Sequence, residues 1–238
     1  MLSPDISQAT IPRDLIILGM GPSAWLCPFD TEVWGLNMGW KLVQQDGHKL
    51  DKLFLAHTQV YSREGNPFFD WRELNRQDLE VISLHRIRGL EATIFPLKRI
   101  SEKFNTNYFT DTVCYMIAYA LDKCTDRELK LKPDAPYSKF RLYGVDMLEG
   151  EEYSHEKGGI EFWLGLARGI GINYGISPIS EVLTTFTGRP YGLRGNKIRG
   201  INPRELAKHR GGEFVGAFDI IGDFTKVTSK ELIGQLGG

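Results

Sequence analysis

Cysteine is scarce in this chain. Cys27, Cys114 and Cys124 make an odd number, and no two have Cys-x-x-Cys spacing. That excludes a disulfide framework and a thiolate zinc site as organising features, and it suits a reducing compartment. Charge of one sign is lacking as well. Lys and Arg number 29 against 30 Asp and Glu, a net charge of −1, so the overall balance draws the molecule neither to nucleic acid nor to a membrane surface. No apolar run approaches the roughly 18 residues that a spanning helix needs. The Met-Leu-Ser-Pro-Asp start has no basic region leading into an apolar core, so no signal peptide is expected. Repeats and low-complexity tracts are absent too, and a cytoplasmic location is the expectation. What is present is 238 residues, 42% of them hydrophobic, enough for one full core with an appendage.

The informative stretch is Asp14 to Trp25, where Leu15-Ile16-Ile17-Leu18 runs into Gly19-Met20-Gly21-Pro22-Ser23. Four apolar residues without polar alternation predict a strand buried on both faces, the habit of parallel sheets. Glycine permits close backbone approach, and proline suits the first position of a helix. Strand, glycine turn and helix start together predict an anion-binding corner, with an ordinary tight turn as the plain alternative. On this reading a β-branched side chain at Gly21 blocks phosphate with little loss of fold.

Further along, 33–37 reads as a second strand ending on Asn37, and 53–56 as a third ending before His57. A brief helix is expected over 40–45, a loop and helix over 61–78, and strands over 80–84 and 92–95. Thr110 is the expected N-cap of an all-round apolar helix over 113–121. A strand over 140–145 ends on Asp146. An acidic loop follows from Met147 to Lys157 with Glu149, Glu151, Glu152, Tyr153 and His155, then a helix over 159–168 and another opened by Ser177-Pro178. Strands alternating with helices predict a Rossmann-like α/β fold, a mainly parallel sheet with helices on both faces. Strands 15–18, 33–37, 53–56 and 140–145 should be neighbours, their carboxyl ends gathering Gly21, Asn37, His57 and Asp146 at one crevice.

The core is expected to close near residue 185. From 186 to 238 the chain is rich in glycine, and Arg189, Arg194, Lys197, Arg199, Arg204, Lys208 and Arg210 stand against a single Glu205 across 189–210. A solvated tail and a docking segment for a polyanion such as DNA are the two readings of this appendage.

The ordered set Ile17-Leu18-Gly19-Met20-Gly21-Pro22-Ser23, Trp34-Gly35-Leu36-Asn37, Phe109-Thr110-Asp111-Thr112-Val113, Leu142-Tyr143-Gly144-Val145-Asp146 and Glu152-Tyr153 resembles one superfamily. It is the one that holds bacterial lipooligosaccharide sialyltransferases and MptE-like 6-hydroxymethylpterin diphosphokinases, and many bacteriophage proteins look similar. The likeness covers about residues 14–185. It implies that Gly19, Gly21, Pro22, Ser23 and Asn37 hold a donor nucleotide, and that Thr110 lies beside donor phosphate. It also implies that Tyr153 assists the leaving phosphate, with His155 the candidate base. Asp111, where the sialyltransferases carry a serine, and Asn107-Tyr108, where they carry an arginine, are departures that set sialic acid aside as the sugar.

The function expected is a nucleotide-dependent transferase, foremost a glycosyltransferase with a nucleotide-sugar donor, in the setting of bacteriophage DNA modification and so of the host cytoplasm. Asp146, His57 and His155 are its candidate bases. Asp146 and Glu149 are candidate Mg²⁺ ligands, joined by Glu151 or Glu152. The alternatives are an MptE-like diphosphokinase acting on a pterin or related small molecule with a nucleoside triphosphate donor, and a non-catalytic nucleotide-binding or assembly protein. A missing Walker motif does not exclude the diphosphokinase, because the resembled family has none.

Overall fold

The computed structural model describes residues 13–57, 71–147 and 151–184, with 151–154 described by backbone alone. The expected strand at the start of the core is β1 (Arg13–Leu18), in which Leu15, Ile16, Ile17 and Leu18 are essentially inaccessible. It is followed by β2 (Glu32–Leu36), β3 (Lys52–Leu55), β4 (Glu80–Ser83), β5 (Thr93–Ile94), β6 (Tyr137–Tyr143) and β7 (Asn173–Ile176). All pair in parallel, in the order β5-β4-β3-β2-β1-β6-β7. The four expected neighbours are neighbours, with Ile17 between Trp34 and Leu142.

Side chains alternate across a strand, so β1 feeds two cores. Leu15 and Ile17 join the layer of α4 (Thr112–Cys124) and α5 (Glu151–Ile170), together with α3 (Leu97–Phe104). Ile16 and Leu18 join the layer of α1 (Gly39–Gln45) and α2 (Trp71–Leu74). Helices thus cover both faces. In α4 the residues Val113, Cys114, Met116, Ile117, Ala118, Ala120 and Leu121 are all buried, as an all-round apolar helix requires. In α5 a single stripe, Ile160, Trp163, Leu164 and Ala167, is buried.

Three local expectations give way. The acidic stretch after Asp146 is not a loop throughout, because α5 begins at Glu151 and runs to Ile170. Gly158 and Gly159, poor helix formers, sit inside α5 because α4 and the segment before it come very close. A Cβ on Gly159 would lie 2.0 Å from Thr110 Oγ1 and 2.9 Å from Cys114 Sγ. The cap of α4 is Asp111 rather than Thr110: its carboxylate accepts from the Cys114 amide at 2.9 Å, while Thr110 Oγ1 donates to the Glu156 carbonyl at 2.7 Å. The helix expected after Ser177-Pro178 is a pair of turns up to residue 184. Its amides go elsewhere, Ser177 N–H to Leu142 O at 3.1 Å and Glu181 N–H to Asp146 O at 2.7 Å.

Residues 1–12, 58–70, 148–150 and 185–238 lie outside the described residues, and with them Glu149, the boundary near 185 and the basic segment 189–210. Among the described residues no helix is long and apolar enough to cross a membrane.

Candidate functional site

From β1 the chain steps outward to β5 at one edge, then returns to place β6 on the other side of β1. The connections leaving β1 and β6 therefore go to opposite faces. The one after β1 contributes Ala24, Cys27 and Phe29 to one core, and α5 packs into the other. Chains that part in this way open a crevice at the carboxyl ends of the two strands, where doubly wound sheets hold ligands.

At this point the two exits touch backbone to backbone. Gly19 N–H donates to Tyr143 O and Gly21 N–H to Gly144 O, each at 2.8 Å. A Cβ on Gly19 would fall 2.2 Å from Gly144 O, and one on Gly21 would fall 2.7 Å from Asp146 Oδ2. The glycines thus make room for the segment after β6, and a valine at Gly21 collides with that segment. The expectation that the substitution spares the fold is overturned.

The one-turn 3₁₀ helix Pro22–Leu26 has no side-chain cap of its own. An acceptor arrives instead from 123 residues away in sequence. Asp146 Oδ2 accepts the Ser23 amide at 2.6 Å, Asp146 Oδ1 accepts the Ser23 hydroxyl, and Ser23 Oγ accepts the Gly144 amide at 2.7 Å. Ser23 and Asp146 are both buried. Burial holds the Asp146 carboxyl above the usual carboxylate range, against the opposing pull of its hydrogen bonds from Ser23. The anion expected at this helix start is the protein's own carboxylate.

The remaining candidates share the edge without sharing contacts. Asn37 follows β2 in the left-handed region, at φ +50°, with its amide on Phe54 O at 3.1 Å. Asparagine tolerates that conformation, so its turn role is met in full, and it has further interactions of its own. His57 is exposed beyond β3. Strands are spaced about 4.8 Å apart, which puts the end of β3 roughly 14 Å from the end of β6. A direct His57–Asp146 contact is not part of this arrangement. His155 is exposed on α5, and for Tyr153 only the backbone is described.

No family model, curated protein or solved structure matches this chain. Its chemistry has to be argued from the site alone.

Among the described residues no three His, Cys, Asp or Glu side chains gather, and Asp146 already spends both oxygens on Ser23. Asp146 in this state has no oxygen to spare for a divalent ion, and Glu149 with the side chains of Glu151 and Glu152 lies outside the described residues. The thiols offer no nucleophile either. Burial pushes Cys114 up to about 12 and Cys27 and Cys124 up to about 11, and only the thiolate reacts.

Two features have little signal in the sequence. Trp25 and Met20 are exposed on the connection between β1 and β2, by 50% and 42%. The Ser23–Asp146 pair joins residues whose only sequence signal is that each follows a buried apolar strand.

Asp111 yields a pH prediction. Burial raises its pKa from 3.8 to about 6, while the bonds from the Cys114 side chain and amide oppose the rise. The folded state binds this proton more tightly than the unfolded chain does. The resulting stability is full below about pH 4 and is lost as pH rises through 6. Asp111→Asn keeps an oxygen for the cap and removes the ionisation. It should be more stable than the parent at pH 7.5, by about 3 kcal/mol, with little difference at pH 4. Urea midpoints at both pH values test this, and equal pH dependence in the two proteins would contradict it.

Proposed function

We propose that this chain is a nucleotide-dependent transferase, foremost a glycosyltransferase with a nucleotide-sugar donor, and that it belongs with the sialyltransferase-like and MptE-like proteins it resembles. One observation carries the reading. The glycine turn after β1 and the segment Gly144–Asp146 touch at the carboxyl edge where the strand order reverses, and Asn37, the residue after β2, lies on the same edge, the place where α/β sheets hold nucleotides. The exposed Trp25, in the helix that follows the glycine turn, offers a ring for stacking against a base or sugar.

Asp146 is then a positioning residue: it fixes the Gly-Pro-Ser turn and does not meet the acceptor. Deprotonating an acceptor hydroxyl falls to an exposed group on the same edge, His57 or His155. A diphosphokinase depends more heavily on metal, and the engagement of both Asp146 oxygens by Ser23 favours glycosyl transfer over it. The cations between Arg189 and Arg210 support a polyanionic acceptor such as DNA.

The saturated Ser23–Asp146 pair favours a second reading, a nucleotide-binding protein without turnover. A thermal-shift screen of nucleoside diphosphates, nucleotide-sugars and ATP addresses both. A ligand at 100 times its Kd adds about 2.7 kcal/mol to stability, a shift of several degrees. Stabilisation with release of the sugar supports the transferase, and stabilisation without turnover supports the binder. No shift with any of these ligands overturns both.

A further inference from the structure

The opposite edge of the sheet, where the strands begin, carries a cavity of about 430 Å³ lined by Arg13, Glu32, Lys52, Lys123, Lys132 and Asp134. Four cations face two carboxylates there, in a chain whose overall charge is −1. Charge density of one sign in a recess concentrates ions of the opposite sign.

Glu32 explains two of the four cations. Its side chain is largely buried, and it accepts from the Trp34 indole at 2.7 Å, from Arg13 and from the Tyr137 hydroxyl, with Lys52 Nζ at 3.8 Å. A buried carboxylate needs such partners. Lys52 also pairs with Glu80 and lies 5.7 Å from the centroid of the Trp34 ring. The other two cations answer to no buried acid. Lys123 Nζ lies over the Tyr119 ring at 4.8 Å, and Lys132 Nζ donates to the Lys123 carbonyl at 2.9 Å. Among the described residues neither has a carboxylate within ion-pair distance. Lys123 is the last-turn cation of α4, and Lys132 comes from the loop that leads into β6. Two chain segments thus deliver ammonium groups without an ion-pair partner among the described residues to a recess that Asp134 also lines.

We propose that this recess is a second binding site, for a small multivalent oxyanion held by Lys123 and Lys132 against the fixed cations Arg13 and Lys52. The ligand is compact and carries two or more negative charges. The aromatic rings beneath the recess, Trp34 and Tyr137, are buried and offer no stacking surface for a base. Inorganic diphosphate and citrate share the required chemistry, and each is tested separately.

The experiment is calorimetric titration of the full chain with diphosphate, and separately with citrate, at 50 and 200 mM salt. The same titrations are run on K123Q/K132Q and on each single substitution. Both side chains are partly exposed, so the ligand-free melting temperature should be preserved. The expected result is binding by the parent that weakens as salt rises. The double variant should bind at least tenfold more weakly, and each single variant should fall between. Preference for one probe assigns the site to phosphates or to carboxylates. Undiminished binding by the double variant would locate the anion elsewhere and overturn the proposal. Failure of both probes to bind at 50 mM salt overturns it too.

Discussion

Gly19→Ala is expected to cost about 3 kcal/mol of stability, with the melting temperature falling by roughly 6–12 °C at this chain length. The added Cβ would stand 2.2 Å from Gly144 O and 2.7 Å from Gly144 C. Both are backbone atoms, so no side chain can swing aside. Gly144 mirrors the situation, with φ +66° and its own ideal Cβ 2.6 Å from Gly19 O. Relief would require β1 and β6 to separate where Gly19 N–H meets Tyr143 O. That separation would propagate into the most extensively paired strands of the sheet, since β1 and β6 are in register from Asp14 to Leu18. Urea unfolding provides the measurement. A variant within 0.5 kcal/mol of the parent would show that the two exits yield more easily than their contacts indicate.

Asp146→Ala should cost about 2–4 kcal/mol, because the Ser23 amide and hydroxyl are left buried without acceptors. Asp146→Asn should cost less, about 1 kcal/mol. Its amide oxygen can still accept the Ser23 N–H, and the hydroxyl, which already accepts from Gly144, must find another acceptor. The ordering of the two variants separates polar satisfaction from simple packing. Equal losses in Ala and Asn would mean that the carboxylate only fills space. If Asp146 positions the turn, as proposed, then nucleotide affinity should follow the same ordering as stability, with Asn retaining more of it than Ala.

The same residues show how far a chain can be read before it is folded. Runs such as Leu15–Leu18 and Leu53–Leu55 announce buried parallel strands by composition alone, since a strand covered on both faces has no use for polar alternation. Four strands, their adjacency and the edge that gathers Gly21, Asn37, His57 and Asp146 all follow from such runs and from the rules of α/β winding. The all-apolar α4 was legible for the same reason. The start of α5 was not, because Gly158 and Gly159 oppose a helix locally, and only contact with Tyr108, Thr110 and Cys114 explains why small residues were needed. Propensity is a weak term, about 1 kcal/mol per glycine, and close helix packing outweighs it.

The glycine turn marks the limit most clearly. Its sequence determines a tight exit from a buried strand and a helix start rich in amide donors. What those donors bind is decided by which strand lies next to β1. Asp146, 123 residues from Ser23, reaches them because β6 returns to the side of β1 that β2 leaves open. The cation-lined recess at the other edge depends on the same return, which brings the loop holding Lys132 and the last turn of α4 alongside Arg13 and Lys52. Local backbone preference and hydrophobic patterning act over a few residues and can be read from the chain. Electrostatic pairing acts across whatever the fold makes adjacent, and adjacency is a property of the tertiary structure.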